Sequence, residues 1–358
     1  VDLLPELIDN YRAWEASHRD DTGLVWQMDD RDGLECSISG RLSPDHTGYR
    51  ATINSYMFGD ARAIARIADW AGDVEVAEDF RQRAGQIRER VQARLWDDAA
   101  SFYKTLPRVD DPTLADVREL HGYTPWYFDL PEVEQAKAWA QLMDPDGFFA
   151  PFGPTTAEQR HPDFAVTYDG HPCKWDGPSW PFATSVTLTG MANLLHNQQQ
   201  DVVDRHDYFQ VLRTYAQCHR RTRGDGRTVP WIDENLDPFT GRWLARDIQQ
   251  RRKAENPDDG SPEEVGKDYN HSTFCDLVID GLLGIRPEAD GTCVIHPLVP
   301  DSWDYFGLDG LVVHGKRLSV RWDRAGERYG GKPGLGVWAD SEQLVLSPTI
   351  ERLTVSLM

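Results

Sequence analysis

The feature that most constrains this chain is an alternation of two kinds of helical segment joined by short turns. From Thr52 to Gly72, the residues Ile53, Met57, Ala61, Ile64, Ala68 and Ala71 recur every three or four positions, the spacing of one helix face. Gly72 is placed to end that helix in the left-handed conformation. Residues 74–95 repeat the spacing with Ala77, Phe80, Ala84, Ile87, Val91 and Leu95, but carry Arg81, Arg83, Arg88, Glu89 and Arg90 on the other face. Two helices joined by so short a turn pack antiparallel. Further helical segments are expected at 2–18, at about 114–127 and 131–142, at 179–196 and 204–222, and at 272–283. Those starting at 179 and 272 are apolar almost all round (Phe182, Val186, Leu188, Met191; Phe274, Leu277, Ile279, Leu282), whereas 74–95 and 204–222 are two-faced. Apolar helices belong inside and two-faced ones outside. The pattern therefore predicts an all-α barrel, an (α/α)6-type toroid. About eight helices are visible where six closed hairpins need about twelve, so the ring is expected to be incomplete at its N-terminal side.

After Arg286 the character changes. CVIHPLV, LVVHG, RLSVRW, GLGVWA, QLVLS and RLTVSL are short β-branched runs separated by Gly, Pro and Asp, which predicts a small antiparallel β domain. The expected division is a toroid over 1–285 and a β-sandwich-like domain over 286–358.

The charge balance excludes some partners. Against 59 Asp and Glu stand 38 Lys and Arg, a net charge of −21, which repels nucleic-acid phosphates and anionic lipid surfaces. No run approaches the roughly 20 apolar residues of a membrane span. The five cysteines, at 36, 173, 218, 275 and 293, are odd in number and have neither CxxC nor zinc-site spacing. They read as free thiols, imply no metal or cofactor, and lean towards a reducing, cytoplasmic compartment. The start, VDLLPELIDNYRAW, has no initiator Met and no signal-peptide order. It begins inside a helical pattern, so an upstream segment is expected, and a periplasmic or secreted location stays open. A monomer or small homo-oligomer is expected.

Four loop segments carry chemistry-bearing residues. WQMDDRDGLECSISG at 26–40 gathers Asp29, Asp30, Asp32 and Glu35 near Trp26. A run of acids commonly marks a solvated loop, but an acid held against aromatic surface has its charged form desolvated and its pKa raised, as a general acid requires. VPWIDENLDPFTGRWL at 229–244 contains Trp231, Asp233, Glu234, Asn235 and Trp243. Turn chemistry explains its Asp237, Pro238 and Gly241, but not its tryptophans and Glu234. Aromatic rings cover the apolar face of a pyranose while carboxylates and amides take its hydroxyls, so acids among tryptophans fit a carbohydrate substrate. HPCKWDGPSWPFATS at 171–185 supplies Trp175 and Asp176, with Trp180 read as core. GKDYNHSTF at 266–274 supplies Asp268, Tyr269 and His271 at the mouth of the last inner helix. Inner-helix starts share one rim of a toroid, so the four segments are expected to converge.

These motifs resemble those of the six-hairpin glycosidases that include processing α-glucosidase and bacterial mannosylglycerate hydrolase-like domains. ENLDPFTG at 234–241 is similar to their E-N-x-(N/D)-P-x-T-G segment, and WDGPSWPFA to their W-x-G-P-x-W motif. DGLECSISG followed by TINSYMFGDARAIARIA resembles their acid loop and following inner helix, and KDYNHSTFCDLVIDGLLGI their closing helix. The likeness covers about residues 1–285. It implies an inverting glycoside hydrolase with Glu35 as general acid and Glu234 as general base, no metal, and substrate contacts from Trp26, Asp32, Trp175, Asp176, Trp231, Asn235, Trp243, Asp268, Tyr269 and His271. Two departures stand out. Glu35 sits where those relatives have Asp, which leaves Asp32 as the alternative acid, and Asp176 replaces Arg of W-R-G-P, so the sugar is not inherited. A sugar epimerase or lyase on the same barrel, and a non-catalytic carbohydrate-binding fragment, are the competing readings.

Overall fold

The computed structural model describes residues 1–166, 171–258, 266–269 and 273–358. Helix α1 (Leu4–His18) leads through a loop into α2 (Ala51–Ala71), whose Ile53, Met57, Phe58, Ala61, Ile64, Ala65 and Ala68 are buried. Gly72 ends α2 at φ +77, a conformation that costs little only for glycine. One residue later the Asp73 side chain accepts a hydrogen bond from the Val76 N–H and caps α3 (Val74–Leu95). This N-cap lets the chain reverse in two residues. The buried residues of α3 are Ala77, Phe80, Ala84, Ile87, Val91 and Leu95, the face expected from the spacing.

The segment 114–142 departs from the expected helical hairpin. Glu119 is extended and bridges Ala157, and only Leu120–Tyr123 (3₁₀), α4 (Thr124–Tyr127) and Val133–Gln141 (3₁₀) are helical. The reason is aromatic packing. Tyr123, Trp126, Trp139, Phe102 and Phe148 form one buried cluster with ring centroids 4.3 to 6.1 Å apart, and ring burial outweighs the local helical preference.

Helix α5 (Pro181–Asn197) is buried nearly all round, with Leu188, Met191 and Leu194 inside. Gly190 lets it approach α4, because a Cβ there would lie 3.2 Å from Trp126 Cβ. Helix α6 (Arg205–Cys218) is capped by Asp204 and stops earlier than its spacing suggests, since Arg220–Thr222 pairs with Thr228–Pro230 as a hairpin. Helix α7 (Leu244–Glu255) has no counterpart in the sequence reading. A short α8 (Phe274–Asp276) continues as the π-helix Leu277–Leu282. In succession α2, α4, α5 and the π-helix touch one another, while α3 packs outside α2 and α6 outside α5. This is the inner and outer layering of an α/α toroid. No helix among the described residues is long and apolar enough to cross a membrane.

From Ile285 the chain is β. Tyr305–Val313, Lys316–Asp323, Gly334–Ala339 and Glu342–Ser347 form an antiparallel meander in chain order. A second antiparallel sheet has the order Leu353–Ser356, Thr292–Ile295, Ile285–Pro287. Leu318, Val320, Leu335 and Val337 are buried in the meander.

Candidate active site

Glu234 lies in the turn after the 220–230 hairpin, and its neighbour Asp233 anchors that turn. The Asp233 carboxylate is fully buried and accepts from Arg246 Nε at 2.7 Å, Arg246 Nη2 at 3.2 Å and the Trp231 indole at 3.1 Å. Asn235 is buried as well. Its Nδ2 donates to the Pro172 carbonyl at 3.0 Å and its Oδ1 accepts from the Ala245 N–H at 3.2 Å. These bonds anchor Asn235 in the fold. Between them Glu234 is half-buried, and among the described residues its Oε2 faces the thiol of Cys173 at 3.6 Å.

Glu35 comes to the same place. The Trp175 N–H donates to the Glu35 carbonyl at 3.0 Å, tying the first loop to the 171–176 segment. Burial, followed by the charges of Asp233 and Glu35, pushes the Glu234 carboxyl up from its ordinary value. Tyr269 is raised by burial and then by Glu234, Glu35 and Cys173, and Cys173 is pushed up to about 12 by burial and then by the two glutamates. Glu35, Cys173, Glu234 and Tyr269 therefore share one electrostatic environment. The loop that bears Tyr269 approaches closely at Gly266, φ +81, where a Cβ would lie 3.3 Å from Glu234 Cγ and Cδ.

Asp32 goes elsewhere. Its carboxylate is bonded to the Thr52 hydroxyl, and burial raises it against the opposing charges of Arg50 and His121. It lines a narrow pocket with Thr52, Tyr56, His121 and Trp175. His121 is oriented by the buried Glu119 at 3.1 Å. Asp176, the departure from W-R-G-P, is buried and paired with Arg41, and burial raises its carboxyl.

Three of the four tryptophans expected as sugar platforms, Trp175, Trp231 and Trp243, are buried. Trp175 is 4% exposed and stacks on Trp180 at 4.7 Å between centroids. Trp243 is buried and donates to the Arg220 carbonyl at 3.0 Å. Trp231 is buried among Arg221, Lys267 and Arg246, 5.1, 5.3 and 5.6 Å from its centroid. Trp26 is half-buried, with Arg108 4.4 Å from its centroid and His18 at 4.8 Å. Indoles are large, and the N–H groups of Trp231 and Trp243 find internal acceptors, whereas the buried N–H of Trp175 has no partner among the described residues. Tyr269, 40% exposed, is an aromatic left open beside the glutamates. Asp268 is exposed at φ +62, with its N–H on the Ile232 carbonyl at 2.9 Å. His271 lies outside the described residues.

Cys173, Arg41, Arg246 and the Glu119–His121 pair carry no assignment from the sequence. Cys173 stands in the HPCKWDG motif, but its only visible signal is adjacency to Trp175. All five cysteines are free thiols.

Residues 1–272 match the model of the mannosylglycerate hydrolase MGH1-like glycoside hydrolase domain. The chain belongs to that family. Residues 285–337 of this MGH1-like chain match the C-terminal domain of glycosyl hydrolase family 65. A solved chain named sialidase is 40% identical with a TM-score of 0.87, covering 99% of this chain and 31% of that one. The present chain thus spans about a third of that relative's length. The GH63 mannosylglycerate hydrolase from Thermus thermophilus, in complex with glucose, is 18% identical with a TM-score of 0.51, covering 68% of this chain and 66% of that one. The GH78 rhamnosidase of Bacillus sp. GL1 is 18% identical with a TM-score of 0.55, covering 90% and 28%. The last two likenesses concern the fold.

Proposed function

We propose that this MGH1-like domain hydrolyses a glycosidic bond of an oligosaccharide or glycan with inversion, Glu35 acting as general acid and Glu234 as general base. The observation that carries the reading is the contrast between adjacent carboxylates. Asp233 is ion-paired with a buried guanidinium, whereas Glu234, half-buried and raised by burial and by the charges of Asp233 and Glu35, meets only a weak thiol donor among the described residues. A carboxylate raised from its ordinary value and not itself held in an ion pair is a stronger base at working pH. In an inverting site two carboxyl groups flank the bond, one protonating the leaving oxygen while the other activates a water on the opposite face. Tyr269 offers an open ring beside the pair for the apolar face of a sugar.

Asp32 supports this division of roles from the side, since Thr52 already occupies its carboxylate. The ion pair of Asp176 with Arg41 gives the W-x-G-P position a different charge pattern from W-R-G-P, so the sugar is to be found by screening. The test is a panel of aryl glycosides and plant and microbial oligosaccharides, with the anomer of the first product followed by NMR. Glu234→Gln keeps the shape and removes the basicity. Turnover should fall by about a hundred to ten thousandfold while binding stays within a few fold, and azide should restore part of it. A Gln variant that keeps more than about a tenth of wild-type turnover would remove Glu234 from the base role.

A further inference from the structure

The segment 172–176 touches both proposed catalytic loops. The Pro172 carbonyl accepts from Asn235 Nδ2 at 3.0 Å, next to Glu234. The Trp175 N–H donates to the Glu35 carbonyl at 3.0 Å. The Asp176 side chain takes Arg41, and the Asp176 carbonyl accepts from the Ala165 N–H at 3.0 Å. Between these fixed points sits Cys173, whose Sγ lies 3.6 Å from Glu234 Oε2. The position of one carboxylate relative to the other is therefore transmitted through five residues of backbone, and the Cys173 side chain reaches from that backbone to the base.

Resting on the glycosidase reading above, we propose that Cys173 is a positioning residue for Glu234: its thiol donates to Oε2, fixes the rotamer of the carboxylate against Glu35, and leaves Oε1 to hold the attacking water. A thiol suits this task. It is a weak, uncharged donor, so it orients the carboxylate without the quenching that Arg246 imposes on Asp233. Burial and two nearby glutamates disfavour the thiolate, so the sulfur keeps the proton it donates. Orientation of a reacting group by a neighbour that never touches substrate is how supporting residues act around catalytic centres.

The experiment has two arms. In the first, Cys173 is alkylated with iodoacetamide between pH 7 and 10 and quantified by peptide mass spectrometry in the wild type and in Glu234→Gln. The Gln variant removes the charge that opposes the thiolate, so alkylation of Cys173 at pH 9 should accelerate several-fold, since the thiolate fraction rises faster than the nucleophilicity of each thiolate falls. Equal rates in the two proteins overturn the proposal. In the second arm, kcat/KM is followed against pH for Cys173→Ala and Cys173→Ser on whichever glycoside the screen identifies. Loss of the donor should move the acid limb upward and lower kcat with KM nearly unchanged, while Ser, which keeps a donor, should restore both. An Ala variant with the wild-type acid limb, or a Ser variant no better than Ala, also overturns it. This arm decides the matter should Glu234→Gln fail to fold. The two readings separate cleanly. An alkylation shift in a protein that turns over no glycoside refutes the function and keeps the Cys173–Glu234 contact, whereas turnover without the shift refutes the positioning role alone.

Discussion

Asp233 and Glu234 differ by one methylene and one position, yet their surroundings assign them opposite work. Asp233 closes a buried ion pair with Arg246 and accepts the Trp231 indole, so it holds the turn that presents Glu234. Replacing Asp233 with Asn removes one side of that pair. Breaking a buried pair costs about 3–5 kcal/mol, and chemical denaturation should read a loss of that size along with reduced turnover. An unchanged denaturation midpoint would mean that Arg246 relaxes without Asp233. Trp175 shows the same principle for an apolar residue. Its ring stacks on Trp180 inside the core, so Trp175→Ala should cost about 3–5 kcal/mol, as truncation of a buried aromatic does. The sequence spacing, which sets Trp175 among polar residues, leads to the contrary expectation of little effect on melting. Equal stability of wild type and variant would restore the exposed platform.

Among the elements, α2, α3 and α5 are legible because their apolar residues keep one period and their ends carry Gly72, Asp73 and Pro181. Helix α7 is not, since LARDIQQRRKAE reads as polar, and one of its three buried residues is the charged Arg246, which lies beside Ala245 and Ile248 and pairs with Asp233. The 114–142 segment misleads for the opposite reason. Its helical spacing is real, but Tyr123, Trp126 and Trp139 point it into an aromatic cluster that sets the backbone. In the site, the meeting of the 35, 173, 234 and 269 segments follows from helix order, whereas ring exposure does not, because a tryptophan flanked by acids reads alike whether it faces solvent or core. The loop carrying Tyr269 is where exposure survives. Tyr269→Ala should raise KM several-fold, since an aromatic contact of this kind contributes about 0.5–1.5 kcal/mol beyond area, and should leave the melting temperature within about a degree. A drop in melting temperature with unchanged KM would make Tyr269 a packing residue.

At the scale of the whole molecule, the helical and β regions meet at a pair of histidines. His196, near the end of α5, has Nδ1 3.0 Å from His296 Nδ1 and Nε2 3.1 Å from the Gly281 carbonyl. A carbonyl can only accept, so Nε2 carries the hydrogen, and the bare Nδ1 of neutral His196 accepts from His296. Protonating His196 would set two N–H groups face to face in a joint already flanked by Arg286 and Arg352, with Arg205 near His296. Burial first, and these charges next, lower His196 from 6.5 to about 3. The folded state thus resists a proton that the unfolded chain accepts. Stability from this group is complete above pH 6.5 and is lost as pH falls towards about 3, at up to about 1.4 kcal/mol per pH unit. His196→Gln keeps an amide for the Gly281 carbonyl and removes the titration. Carboxylates such as Asp32, whose folded value is raised, gain stability in acid and act in the opposite sense, so the informative quantity is the difference between wild type and variant. Urea unfolding between pH 7.5 and 4 should show the wild-type advantage shrinking steadily below pH 6.5. A difference that stays constant across that range would mean that the histidine joint contributes no acid sensitivity.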